Sequence, residues 1–119
     1  MNGIAAYNEN SVTTKTPGQT VVLLYDGALK FLNLAIKCIE DKDFAGKGEY
    51  INRAVAIINE LDCSLNMEAG GEIATNLRKL YDFMRKHLLE ANFKCDPGLV
   101  RDVIRVLEEL NQGWRAIVE

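Results

Sequence analysis

Residues able to do chemistry are few and widely spaced. The single histidine, His87, is followed three positions later by Glu90. That H-x-x-E pair is the reverse of the E-x-x-H needed on two helices of a di-iron bundle, which also requires two further carboxylates. One histidine cannot supply such a set, so His87 is expected to pack at the rim of an apolar stripe. The three cysteines, Cys38, Cys63 and Cys95, are far apart, odd in number and without C-x-x-C spacing. That is a poor disulfide framework and a poor zinc site. Each lies near the end of a helical stretch, where the helix dipole does nothing to favour a thiolate, so all three are expected to be small packing residues. Gly70-Gly71 is too short for a phosphate cradle, and the G-x-x-x-x-G-K-[ST] motif is absent. The pair reads as a turn before a helix start. No nucleophile has a recognisable base partner. The expectation is therefore no enzyme: no catalytic residue, no metal and no cofactor.

Composition narrows the class. A chain of 119 residues suits one domain and can bury roughly two thirds of the surface its unfolded form exposes. Hydrophobic residues make up 48% and charged residues 26%, the balance of a soluble globular protein. The net charge of −3, without any basic run, argues against nucleic acid as a partner. Cysteine usage suits a reducing cytosol. The opening "MNGIAAYNENSVTTK" has neither the charged start nor the apolar stretch of a secretory signal. No apolar run approaches the ~18 residues of a membrane span. A cytoplasmic location without membrane insertion is expected.

The elements that must position any site are helices. Apolar residues recur at a period near 3.6 over about Pro17–Glu40, Phe44–Leu65, Gly71–Phe93 and Pro97–Val118. Pro17 and Pro97 sit where helices can begin, because the missing N–H has no partner there anyway. Asp96 is placed to cap the last helix. The links "EDKD", "NMEAGG" and "KCD" are short, which makes consecutive helices antiparallel. The fold class is all-α: an antiparallel up-and-down four-helix bundle over residues 16–119, preceded by a short flexible N-terminal arm, residues 1–15. In that polar arm Ile4 and Tyr7 form the one large apolar pair, spaced to share a helical face; the arm is either a frayed tail or a tethered anchor that docks on the bundle.

The first helix carries more apolar surface than one core needs. Its main stripe includes Val21, Leu24, Tyr25, Ala28, Leu32 and Ile36. Advancing 100° per residue from Val21, a second row falls between about 200° and 280°: Leu23, Gly27, Phe31, Leu34 and Cys38. Gly27 would leave a notch where another backbone could approach. A helix apolar on two sides needs two partners. The second is either a neighbouring helix of the bundle, another copy of the chain associating through an apolar groove, or a foreign chain. On the last reading Leu23, Gly27, Phe31 and Leu34, with Ile4 and Tyr7, are the candidate partner-binding residues. Phe83, Leu89 and Phe93 also lie off the main stripe of their helix.

Four stretches resemble the flagellar secretion chaperone FliS family: "AY" at 6–7, "TPGQTVVLLYDGALKFL" at 16–32, "GGEIATNLRKLYDFMRKHLLEAN" at 70–92 and "LEELNQGWRAI" at 107–117, and "RAVAIINEL" at 53–61 fits its second helix. The resemblance covers nearly the whole chain from Ile4 onward. Thr16 stands where the family often has Ser, Gly113 where Ala is usual, and His87 where a second arginine is common. The resemblance implies a four-helix bundle that holds the disordered C-terminal segment of flagellin in the bacterial cytosol. It would thereby prevent premature polymerisation and assist delivery to the flagellar export gate. The family's arm is implicated in regulating partner access. The alternative is a generic helical adaptor or oligomerisation bundle with another partner.

Overall fold

A computed structural model describes residues 17–118. Four helices make up this region: α1 (Pro17–Glu40), α2 (Phe44–Cys63), α3 (Met67–Lys94) and α4 (Pro97–Val118). Each packs against its neighbours in sequence, and α4 returns to α1 to close the ring. This is the expected up-and-down bundle.

Local chemistry sets the ends. Asp43 caps α2 by accepting from the Gly46 amide at 3.0 Å, and Asp96 caps α4 by accepting from the Gly98 amide at 2.8 Å. Helix α2 ends at Cys63 rather than Leu65, and α3 begins at Met67 rather than Gly71. The early start is a short turn in which the Asn66 side chain accepts from the Ala69 amide at 2.9 Å. Gly71 then takes φ 54° and ψ −127°, kinking the path before the long run of α3. A side chain at that φ is strained, so the torsion read from Gly70-Gly71 falls on the second glycine.

The core is built from the stripes. Tyr25, Leu32, Ile51, Ile58, Met84, Leu88 and Leu107 are all sealed from solvent, and each such side chain contributes roughly 1.5–3 kcal/mol through burial. Helices α1 and α3 face each other across the centre, where the Tyr25 and Tyr81 hydroxyls are 2.7 Å apart. Burial raises both phenols above their ordinary range, so each stays protonated. Tyr25→Phe should leave the Tyr81 hydroxyl without its buried partner and cost about 1–3 kcal/mol. Removing both hydroxyls should cost less than the sum of the two single changes. A urea-unfolding double-mutant cycle measures that coupling; strict additivity would show that the bond does not stabilise the fold.

Polar ties lie at the seams. Asp62 on α2 receives Arg78 at 3.0 Å and Arg85 at 2.9 Å from α3. Burial would raise its carboxyl, but the hydrogen bonds from the two guanidiniums outweigh this and hold it below the usual carboxylate range. Asp26 on α1 accepts from Asn111 at 2.8 Å and from Arg115 at 2.6 Å on α4. These ties fix helix order at the edges of an otherwise apolar interior.

Candidate partner-binding site

The second row of α1 is the first place to look for a partner surface. A Cβ at Gly27 would lie 3.2 Å from Ile57 Cδ1 of α2. The notch expected to be open is therefore filled by the next helix of the same bundle. Phe31 stacks on Tyr50 of α2, with ring centroids 6.0 Å apart and an interplanar angle of 22°, and the Arg53 guanidinium lies 5.7 Å from the Phe31 centroid. Cys38 is buried at the end of the row, where burial first, and Asp43 second, push its thiol up. Most of this row is thus the α1–α2 seam. The reason is closeness: Gly27, with no side chain, lets α1 approach Ile57 of α2. Leu34 is half-buried, and Leu23, at 49% exposure, is the row's one large apolar side chain turned to solvent. Ile4 and Tyr7 lie outside the described residues.

The open apolar surface is at the end of the bundle where α3 begins and α4 finishes. One cavity there, of about 380 Å³, is lined by Val21, Leu61, Leu65, Ile73, Leu77, Tyr81 and Trp114, among others. A second, of about 320 Å³, shares Ile73, Leu77 and Trp114 and extends over Leu110, Gly113 and Ile117. The shared residues join the two into one groove between α3 and α4. Its walls have helical spacing: Ile73, Ala74 and Leu77 on α3, and Leu110, Trp114 and Ile117 on α4. Ile73 and Ile117 are 71% and 74% exposed, unusual for residues on core stripes. A Cβ at Gly113 would meet nothing within 4 Å, so Gly113, and not Gly27, is the glycine that widens an open site.

The groove is open and lined mainly by apolar side chains. Two of its polar lining groups are committed: Ser64 Oγ donates to the Leu61 carbonyl at 2.8 Å, and Asn66 caps the turn before α3. Tyr81 on its floor is held by Tyr25. His87 lies elsewhere on the α3–α4 seam, with Nε2 3.0 Å from Asp102 Oδ2 and its ring 4.5 Å from Phe83. The hydrogen bond from His87, reinforced by the Arg105 charge, holds the Asp102 carboxyl below its usual range. Among the described residues, no group of three or more His, Cys, Asp or Glu side chains could hold a metal ion, and no helix is long and apolar enough to cross a membrane. The cysteines differ from expectation. Only Cys38 is a buried packing residue; Cys63 is exposed and Cys95 half-buried.

Helical periodicity alone puts Ile73, Leu77, Leu110, Trp114 and Ile117 on the apolar stripes of α3 and α4. A helical wheel cannot separate a stripe that meets a neighbour from one that runs on past it. One available signal was Gly113, a residue without a side chain beside an apolar stripe close to a helix end.

The chain matches, over residues 1–119, the sequence model of the family described as Flagellar protein FliS. The flagellar secretion chaperone FliS of Bacillus subtilis (strain 168) is 36% identical over 118 residues, covering 99% of this chain and 87% of the relative. Its counterpart in Salmonella typhimurium is 39% identical over 121 residues, covering 98% of this chain and 90% of the relative. The flagellar secretion chaperone FliSB of Pseudomonas aeruginosa is 37% identical over 109 residues, covering 92% and 86%.

Proposed function

The chain belongs to the FliS family of flagellar proteins, a family of chaperones and not of enzymes, and from that premise we propose that it holds flagellin in the bacterial cytosol before export. The ligand is the disordered C-terminal segment of flagellin, folded into an amphipathic helix on binding. Covering the apolar face of that segment blocks the helix–helix contacts of polymerisation. Handover then follows from competition at the flagellar export gate.

The observation that carries this reading is the α3–α4 groove, whose two rows of apolar side chains match the i, i+3, i+4, i+7 anchors of helix-in-groove recognition. A disordered ligand loses entropy when it orders, so it needs a long apolar footprint. The joined cavities supply one. Leu23, and the exposed edges of Phe31 and Leu34, are a further strip that a ligand wrapping beyond the groove would touch. The arm residues Ile4 and Tyr7 are proposed to share the groove as a tethered competitor.

Titrating the full chain with an unstructured peptide from the flagellin C-terminus tests the reading. Saturable 1:1 binding with a gain in far-UV helicity is expected. An unsaturable response, or binding without added helix, would favour the generic adaptor.

A further inference from the structure

At the opposite end of the bundle a buried amine faces a cysteine. Lys47, near the start of α2, is 7% exposed. Its Nζ donates to the Asn92 carbonyl at 2.8 Å and to Cys95 Sγ at 3.4 Å. It also lies 5.7 Å from the Phe44 ring centroid. Among the described residues, no carboxylate pairs with it. A lysine this buried is seldom left without an anion.

Cys95 is placed just as deliberately. It ends α3 in the left-handed conformation, φ 53° and ψ 44°, with its amide bonded to the Ala91 carbonyl. That position usually takes Gly or Asn, and a Cβ there costs roughly 1–2 kcal/mol. The conformation turns the thiol toward Lys47 while the residue stays half-exposed. A small oxidant can reach the sulfur, and the amine is fixed within the 3–3.5 Å range of a near-attack contact.

We propose that Lys47 and Cys95 form a reversible sulfenamide cross-link when the protein meets hydrogen peroxide. In the first step the Cys95 sulfur attacks one peroxide oxygen. The S–O bond forms, the O–O bond breaks, and the leaving hydroxide takes the thiol proton to give water. Sulfur is oxidised by two electrons and the peroxide reduced. In the second step the Lys47 nitrogen releases a proton to water and its lone pair attacks the sulfenic sulfur. The N–S bond forms, the S–O bond breaks, and the departing oxygen leaves as water with a proton from nitrogen. No second oxidant is needed. Sulfenic acids condense in this way with backbone nitrogen; here the nitrogen is a side chain already in contact. A thiol reductant attacks the sulfur, displaces the amine and, with a second thiol, restores Cys95.

The other cysteines are internal controls. Cys63 is exposed and Cys38 is buried beside Asp43, and among the described residues only Cys95 accepts a hydrogen bond from a lysine amine.

The test treats the full-length protein with hydrogen peroxide and maps peptides by mass spectrometry. A joined peptide containing Lys47 and Cys95 is expected, two hydrogen atoms lighter than the sum of its parts, and lost on treatment with dithiothreitol. It should be missing from Cys95→Ser. In Lys47→Met the sulfenic acid should persist and be captured by dimedone, where the parent gives little capture at Cys95. Sulfinic or sulfonic acid at Cys95, or a disulfide to Cys38, Cys63 or another chain, without the 47–95 peptide, would overturn the proposal. The parent protein alone decides this, so it does not depend on how well either variant folds.

Discussion

Ile73→Asp, or separately Ile117→Lys, is expected to weaken binding of the flagellin C-terminal peptide about a hundredfold, near 2.7 kcal/mol, with little change in melting temperature. Both side chains wall the α3–α4 groove yet are more than two thirds exposed, at 71% and 74%. Replacing them removes little burial, and surface changes of this kind usually shift stability by no more than about 0.5 kcal/mol. The charges are chosen to suit the helices. An aspartate early in α3 faces the positive end of its dipole, and a lysine at the end of α4 faces the negative end. A ligand that presents an apolar helix must then desolvate a charge without pairing it, which is where the affinity goes. Isothermal titration of each variant beside the parent reads the effect. Unchanged affinity in both would place the flagellin site elsewhere, with the strip around Leu23 the next candidate. Gly113→Leu probes the same groove by filling it, in a position where a new side chain meets no neighbour.

Gly27→Leu is expected to destabilise the bundle by about 3 kcal/mol or more, since overpacking a well-filled seam forces backbone shifts. Four new carbons would have to enter between α1 and α2, where the first already lies 3.2 Å from Ile57 Cδ1. Gly27→Ala is the instructive companion. Helix propensity favours alanine by roughly 1 kcal/mol, and the obstructing atom is the end of a flexible side chain. The two effects should nearly cancel. In an Ile57→Val background the obstructing methyl is gone, and Gly27→Ala should then stabilise by roughly 1 kcal/mol relative to Ile57→Val alone. Urea-unfolding midpoints measure the series. A Gly27→Leu protein as stable as the parent would mean that α1 and α2 separate freely and that the seam is not close-packed.

Much of this molecule was legible in one dimension. The 3.6-residue period marked all four helices, short links made them antiparallel, Pro17 and Pro97 marked the starts of α1 and α4, and Asp96 was readable as the cap of α4. These properties are local: each depends on backbone torsions and on residues within a turn or two. The excess of apolar surface was also visible, because a helix apolar on two sides cannot be satisfied by one core. The sequence pattern offered no E-x-x-H pair and no recognisable nucleophile–base pair, and the family match, to chaperones, points the same way.

What covers each apolar row was decided only by tertiary structure. Gly27 and Gly113 look alike in the sequence: each interrupts an apolar helix without a side chain. One is closed by Ile57 and the other opens onto solvent. That difference depends on the distance between helix axes. Gly27 lets α1 approach α2, while α3, kinked at Gly71, leaves Ile73 exposed beside the end of α4. The same holds for Lys47 and Cys95, which are 48 residues apart in sequence and 3.4 Å apart in space. Periodicity assigns a face to each residue of one helix; only the packing of four helices together determines whether that face meets a neighbour, a partner or water.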